Sequence, residues 1–205
     1  MAGLFLSIDG IDGCGKSTQM ELLQQWLAEQ GQELIRVREP GGTRLGESLR
    51  EILLHKAEIP LVATSEMLMY MASRAQLVEE IIRPALAVGK TVLSDRYLLA
   101  NIVYQGYGGG LEPKRIWSVG EIATGGLAPS HTFILDIEPE QALARLSSEK
   151  DRLESRGLEY MTRVREGYLK EAPKLGEAHS ILDATQSIDS LQSEIRQTVG
   201  KLLFD

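Results

Sequence analysis

Five short runs dominated by aliphatic residues punctuate this chain, at Leu4 to Asp9, Glu33 to Arg38, Thr91 to Asp95, Thr132 to Ile137 and Ser180 to Asp183. Between them lie longer stretches in which apolar residues return every three or four positions. These begin after Lys16 and continue at Leu45 to Leu54, Thr64 to Ala87, Pro113 to Thr124, Glu138 to about Ser148, Leu158 to Leu175 and Ser187 to Leu203. The short runs predict buried strands and the longer periodicity predicts amphipathic helices. In the last stretch Ile188, Leu191, Ile195, Val199 and Leu202 form a single apolar stripe, which reads as core packing rather than a site. Strand and helix alternate from end to end, the pattern of an α/β fold whose parallel sheet is covered by helices. Open sheets of that kind collect ligands at the carboxyl ends of their strands, so the residues after each strand carry the chemistry.

With 205 residues and 43% hydrophobic content, the chain can bury one substantial core. No linker rich in Pro, Gly or Ser divides it, which predicts one domain over 1–205. No stretch approaches the ~18 apolar residues needed to cross a bilayer, and the N-terminus lacks a basic segment followed by a long apolar run. A soluble, cytoplasmic protein is the expectation. No membrane partner is expected from the lack of such a stretch, and the net charge of −7 argues against a nucleic acid polymer as partner, so phosphate must be met by arginines gathered locally. One cysteine, Cys14, excludes an internal disulfide and a cysteine-rich metal cluster.

The first strand runs into Gly10-Ile11-Asp12-Gly13-Cys14-Gly15-Lys16-Ser17, which fits G-x-x-x-x-G-K-[ST] and is followed by Thr18. Glycines let such a loop curl so that successive N–H groups point at phosphate oxygens, and the helix opening at Lys16 adds its positive end. The loop predicts a nucleoside triphosphate, with Lys16 meeting the β- and γ-phosphates and Ser17 the magnesium. Cys14 reads as a small side chain that fits the loop, with oxidation sensitivity as the alternative.

Arg38-Glu39-Pro40-Gly41-Gly42-Thr43 follows the second strand, a rigid proline and two permissive glycines suited to a pocket wall or to a plain turn. The third strand ends in Asp95-Arg96-Tyr97, placing a carboxylate where it can hold the magnesium shell and an arginine where it can reach an anionic substrate. Tyr70 and Arg74 share a helix face, as do Asn101 and Gln105. Tyr70 is suited to stacking on a heterocycle or to the core, Arg74 to a phosphate, and the two amides to a base edge. Arg145, Arg152, Arg156, Arg163 and Arg165 alternate with acidic residues. Arg163 and Arg165 read as a solvated helix face, and the looser pattern near Gly157 suits a flap that closes over two nucleotides.

The phosphate loop, Arg38 to Thr43, Arg74, Asp95-Arg96-Tyr97, Tyr104-Gln105-Gly106 and Asp151-Arg152-Leu153-Glu154, in this order and covering nearly the whole chain, resemble the bacterial thymidylate kinases. The resemblance implies a P-loop fold with a five-stranded parallel sheet, a lid at about 145–157, a homodimer, and transfer of the γ-phosphoryl of ATP to dTMP with Mg²⁺. It implies ATP on residues 10–18, and dTMP among Asp12, Glu39, Pro40, Arg50, Tyr70, Arg74, Arg96, Asn101, Tyr104 and Gln105. Arg74 and Arg96 would take the phosphate and Arg50 would lie near the thymine O4. Tyr70 would stack where the family usually has phenylalanine, and Asp12 and Tyr104 would sit near the sugar 3′-hydroxyl. Lys16, Arg96, Arg152 and Arg156 would be catalytic, with Ser17 and Asp95 on the metal. Some members carry an arginine where this chain has Gly13, so here it comes from the lid, Arg152 first and Arg156 second. Leu98-Leu99-Ala100 departs from the polar residues of many relatives.

Two rival readings remain: another P-loop nucleotide or deoxynucleoside kinase, and a nucleotide-dependent switch. The chain carries no Asn-Lys-x-Asp guanine-reading motif, and an arginine-rich flap suits a second phosphorylated substrate.

Overall fold

The computed structural model describes residues 3–55, 58–145 and 157–204. Its sheet is formed by β1 (Phe5–Asp9), β2 (Leu34–Arg38), β3 (Thr91–Asp95), β4 (His131–Asp136) and β5 (His179–Asp183). All neighbours are parallel, in the order β2-β3-β1-β4-β5. Every residue of β1 is buried, as are all but the last of β3 and β4, whereas β2 and β5 at the edges are partly exposed. A central parallel strand is covered on both faces, which is why these runs place apolar residues side by side, as in Phe5-Leu6, Val92-Leu93 and Phe133-Ile134-Leu135, rather than in strict alternation.

The helices are α1 (Lys16–Glu29), α2 (Arg44–Arg50), α3 (Ala63–Leu77), α4 (Arg83–Ala87), α5 (Leu98–Asn101), α6 (Pro113–Thr124), α7 (Pro139–Leu143), α8 (Leu158–Glu171) and α9 (Ile188–Phe204). One core joins Met20, Leu23 and Leu27 of α1 to Leu191, Ile195 and Val199 of α9. A second joins Met67 and Met71 of α3 to Phe5, Val92 and Ile116. Three helices continue in wider π-helical turns, at Glu51–His55, Val78–Ile82 and Ile102–Gly108. The second of these precedes Pro84, which has no N–H to give the preceding turn. The expected helix from Leu158 to Leu175 tightens to a 3₁₀ turn at Ala172–Leu175, where Pro173 interrupts the ladder. Residues 146–148 of the expected helix from Glu138 lie outside the described residues.

Chain order reverses at the neighbours β1 and β3: the chain leaves β1 toward the β2 edge and leaves β3 toward the β4 side. The crevice at their carboxyl ends is therefore where such a sheet receives a ligand. Among the described residues no helix is long and apolar enough to cross a membrane.

Candidate active site

The residues that leave β1 form a tight loop whose shape depends on glycine. Gly13 has φ of +83°, and a Cβ there would stand 2.2 Å from the carbonyl oxygen of Ala142. No side chain fits without moving α7, which accounts physically for the missing loop arginine. Lys16 is buried, and its ammonium donates to the carbonyls of Gly10 (3.1 Å) and Ile11 (2.9 Å). Cys14 is buried inside the loop with its Sγ 3.7 Å from that ammonium, the place of a small filler. The loop lines a cavity of about 630 Å³ with Ser17, Thr18, Asp95 and Arg96. Ser17 and Asp95 supply a hydroxyl and a carboxylate on one wall, the hard oxygen donors that magnesium takes together with phosphate and water.

Arg96 occupies left-handed backbone, φ +69°, which an ordinary side chain adopts only when its surroundings demand it. Its N–H donates to the carbonyl of Ile8 at 3.1 Å, and the Ser94 hydroxyl donates to its carbonyl at 2.5 Å. This turn aims the guanidinium back over β1, where it pairs with Asp12. The Tyr104 hydroxyl lies 3.3 Å from both Arg96 and Asp12. Burial works against ionisation of Asp12, but the charges of Arg96 and Lys16 outweigh it and hold the carboxyl down at about 2. Burial and the neighbouring Asp12 push the Tyr104 phenol far up, so it stays a donor. Asp9, which the sequence reading did not single out, is fully buried beneath this cluster, accepting from Ser7 (2.5 Å) and Tyr168 (3.3 Å). Burial pushes its carboxyl up.

Asp12 and Arg96 also line a second cavity, of about 250 Å³, so the two spaces meet at this pair. All ten residues expected to surround dTMP line it: Asp12, Glu39, Pro40, Arg50, Tyr70, Arg74, Arg96, Asn101, Tyr104 and Gln105, together with Leu54 and Ala100. Tyr70 is at once buried in the core and part of this wall. The amides of Asn101 and Gln105 bond each other at 2.7 Å on the turn joining α5 to its π-helical extension. Thr43 caps α2 by accepting from the Gly46 N–H at 2.9 Å, which fixes the Glu39-Pro40 loop beside α3. Glu39 and Arg74 form a buried ion pair. Burial pushes the Glu39 carboxyl up while Arg74 pulls it down. Three buried polar atoms of this cavity have no partner: Glu39 Oε1, Arg74 Nε and Asn101 Oδ1.

Elsewhere the structure revises several readings. Arg163 does pair with Glu159 on an exposed helix face, but Arg165 grips both oxygens of Asp136 (2.7 and 3.0 Å) and reaches Glu138. It ties α8 to the end of β4, because α8 packs across that strand end rather than over solvent. Ile188 and Leu202 of the expected core stripe are exposed, and Ile188 lines the phosphate-loop cavity because α9 begins beyond the sheet edge. Arg145 lines the same cavity and donates to the Ala184 carbonyl at 3.2 Å. Leu98, Leu99 and Ala100 are buried, which explains their apolar character. Glu66, buried in the first turn of α3, accepts from Gln105 at 3.0 Å and went unnoticed in the sequence. Arg152, Arg156 and nearly all of the expected lid lie outside the described residues.

The family model described as thymidylate kinase matches residues 8–195. A thymidylate kinase of Caldanaerobacter subterraneus subsp. tengcongensis is 45% identical over 99% of this chain and 98% of its own. One of Rhodopirellula baltica is 42% identical over 98% of this chain and 80% of its own. The crystal structure of the Ehrlichia chaffeensis thymidylate kinase superposes with a TM-score of 0.79 at 30% identity, covering 97% of this chain and 99% of that one. The five-stranded parallel sheet is thus a P-loop fold shared with that enzyme, and the chain belongs to the thymidylate kinase family.

Proposed function

We propose that the protein phosphorylates dTMP to dTDP with ATP as donor, the phosphate loop holding ATP and the smaller cavity holding dTMP. The observation that carries this reading is a complementary pair of unpartnered buried atoms in the smaller cavity, the Asn101 Oδ1 acceptor and the Arg74 Nε–H donor. Thymine offers the matching N3–H donor and O4 acceptor on one edge. Cytosine offers the reverse, and a buried group left without its partner costs about 1–3 kcal/mol.

Charge supports a division of the arginines different from the one the resemblance implies. The Arg74–Glu39 pair is fully buried in the smaller cavity, whereas Arg96, paired with Asp12 and 3.4 Å from Asp95, is part-exposed where the two cavities meet, and Arg50 pairs with no carboxylate among the described residues and donates to the Pro40 carbonyl at 2.8 Å. We therefore assign the acceptor phosphate to Arg50 and Arg96, at the junction of the cavities, and the thymine edge to Arg74 and Asn101. Tyr70 stacks on the base, Pro40 walls the pocket, and Asp12 and Tyr104 face the sugar 3′-hydroxyl.

Transfer of a phosphoryl group demands positioning and charge neutralisation rather than a base. Lys16 neutralises the donor phosphates, and Arg152, with Arg156 second, brings a lid cation to the transferred group. Ser17 and Asp95 would hold Mg²⁺, which when bound neutralises charge on the donor phosphates. The reading includes a homodimer, which the family resemblance implies, and a single domain in a cytoplasmic setting, which rest on the length and composition of the chain.

The test is to incubate the protein with ATP and Mg²⁺ and, separately, dTMP, dUMP, dCMP, dGMP and thymidine, following diphosphate and ADP. Product with dTMP, less with dUMP and almost none with the others is expected. Equal ADP release without any acceptor would instead make the chain a hydrolase or switch.

A further inference from the structure

Glu66 is not among the residues that line the dTMP cavity, yet it governs what the cavity displays. It stands in the first turn of α3, almost fully buried, at the same helical spacing as Tyr70 and Arg74. A carboxylate is an acceptor only. The Gln105 group that meets it at 3.0 Å must therefore be the amide N–H₂, which turns the Gln105 carbonyl toward Asn101. That carbonyl accepts from the Asn101 Nδ2 at 2.7 Å. The Asn101 amide atom left without any partner is then Oδ1, which is buried. One acceptor-only group thus sets the polarity of two amides in series, each of which could otherwise be turned by half a rotation at no loss of shape.

We propose that Glu66 is a positioning residue that makes the dTMP cavity a reader of 4-oxo rather than 4-amino pyrimidines, by fixing Asn101 with its acceptor toward the base. The proposal rests on the thymidylate kinase reading above. A 4-oxo ring carries hydrogen on N3 and donates to Asn101 Oδ1. A 4-amino ring carries a lone pair there and faces the same oxygen acceptor against acceptor. Glu66→Gln keeps the size and the helix position but can donate as well as accept, so both orientations of the chain become available.

The experiment measures kcat/KM for dTMP and dCMP in the parent, in Glu66→Gln and in Glu66→Gln/Gln105→Glu, with thermal midpoints alongside. In the double variant the acceptor-only group sits at position 105, where one oxygen takes the Asn101 N–H₂ and the other takes the amide introduced at position 66. The original polarity is thereby restored. The single variant should lower the dTMP-to-dCMP ratio about tenfold, the weight of one buried hydrogen bond, chiefly through a higher KM for dTMP. The double variant should return the ratio toward the parent's. An unchanged ratio in the single variant overturns the role of Glu66, and so does a lost ratio that the double variant fails to recover, since a merely structural defect would persist there. Should the single variant not fold, the double variant decides by retaining or losing the preference. A parent that already uses dCMP as well as dTMP overturns the reading of the cavity itself, and the proposal with it.

Discussion

Replacing Asp12 by asparagine removes the carboxylate that lies between Arg96 and Lys16, and its effect can be worked from the titration of that group. Asp12 is held at about 2, against an ordinary 3.8, because the two cations outweigh the burial that opposes ionisation. A difference of about 1.8 at 1.36 kcal/mol per unit corresponds to about 2 kcal/mol of stability at pH 7. The folded chain binds its proton less tightly than the unfolded chain does. The stabilisation is therefore complete above the unfolded value near 4 and is lost as pH falls toward 2, with about half remaining at pH 3. In a chain of this size 1 kcal/mol moves the midpoint by about 2–4 °C, so Asp12→Asn should melt about 4–8 °C below the parent at pH 7. Calorimetry or urea unfolding at pH 7, 5, 4 and 3 should show the gap constant down to pH 5 and closing below pH 4. A gap absent at pH 7, or as large at pH 3 as at pH 7, would refute the view that this carboxylate balances the two cations.

Glu39→Gln leaves Arg74 buried without its counter-charge and should cost about 3–5 kcal/mol. The melting point would fall by roughly 6–20 °C, and Glu39→Gln/Arg74→Met should recover part of it; a single variant as stable as the parent would sink this account. Gly13→Ala combines positive φ with a Cβ 2.2 Å from the Ala142 carbonyl. It should destabilise by about 2 kcal/mol or more and weaken ATP binding, whereas an unaltered melt and ATP affinity would mean that α7 yields freely. Arg50→Ala should raise the KM for dTMP about tenfold or more, the loss of one charge-assisted contact, with the KM for ATP little changed; an unaltered dTMP KM would return the phosphate to Arg74. Arg152→Ala should slow turnover by about a thousandfold while dTMP affinity holds, and turnover equal to the parent's would remove it from catalysis.

What could be read in the chain before its structure follows from how local each signal is. β1, β3 and β4 declared themselves because a parallel strand buried on both faces carries adjacent apolar residues, Phe5-Leu6, Val92-Leu93 and Phe133-Ile134-Leu135, and Gly10 to Ser17 because a phosphate loop needs glycine at fixed offsets. Of the ten residues expected around dTMP, Arg96, the pairs Tyr70/Arg74 and Asn101/Gln105 and the Glu39-Pro40 loop were legible from spacing and strand ends, the family resemblance added Asp12, Arg50 and Tyr104, and all ten line one cavity. Arg165 and Glu66, by contrast, looked like ordinary charges on helix faces. Their meaning depends on Asp136, 29 residues away, and on Gln105, 39 residues away.

The arginines make the same point about function. Arg50, Arg74 and Arg96 are interchangeable as letters, each a cation near a predicted pocket. They become distinct only when their carboxylates are assigned, Glu39 to Arg74 and Asp12 to Arg96. A guanidinium that already has a buried carboxylate gains less from a phosphate than one that has none, because the phosphate must compete with a partner held in place. Discrimination of the base obeys the same logic one step further out. Asn101 is an amide with two faces, and only a chain of contacts ending in the acceptor-only Glu66 turns one of them toward the cavity. On the proposed reading, then, the cavity's arginines and amides supply the atoms, and the carboxylates beside and behind them, Glu39, Asp12 and Glu66, decide their sign.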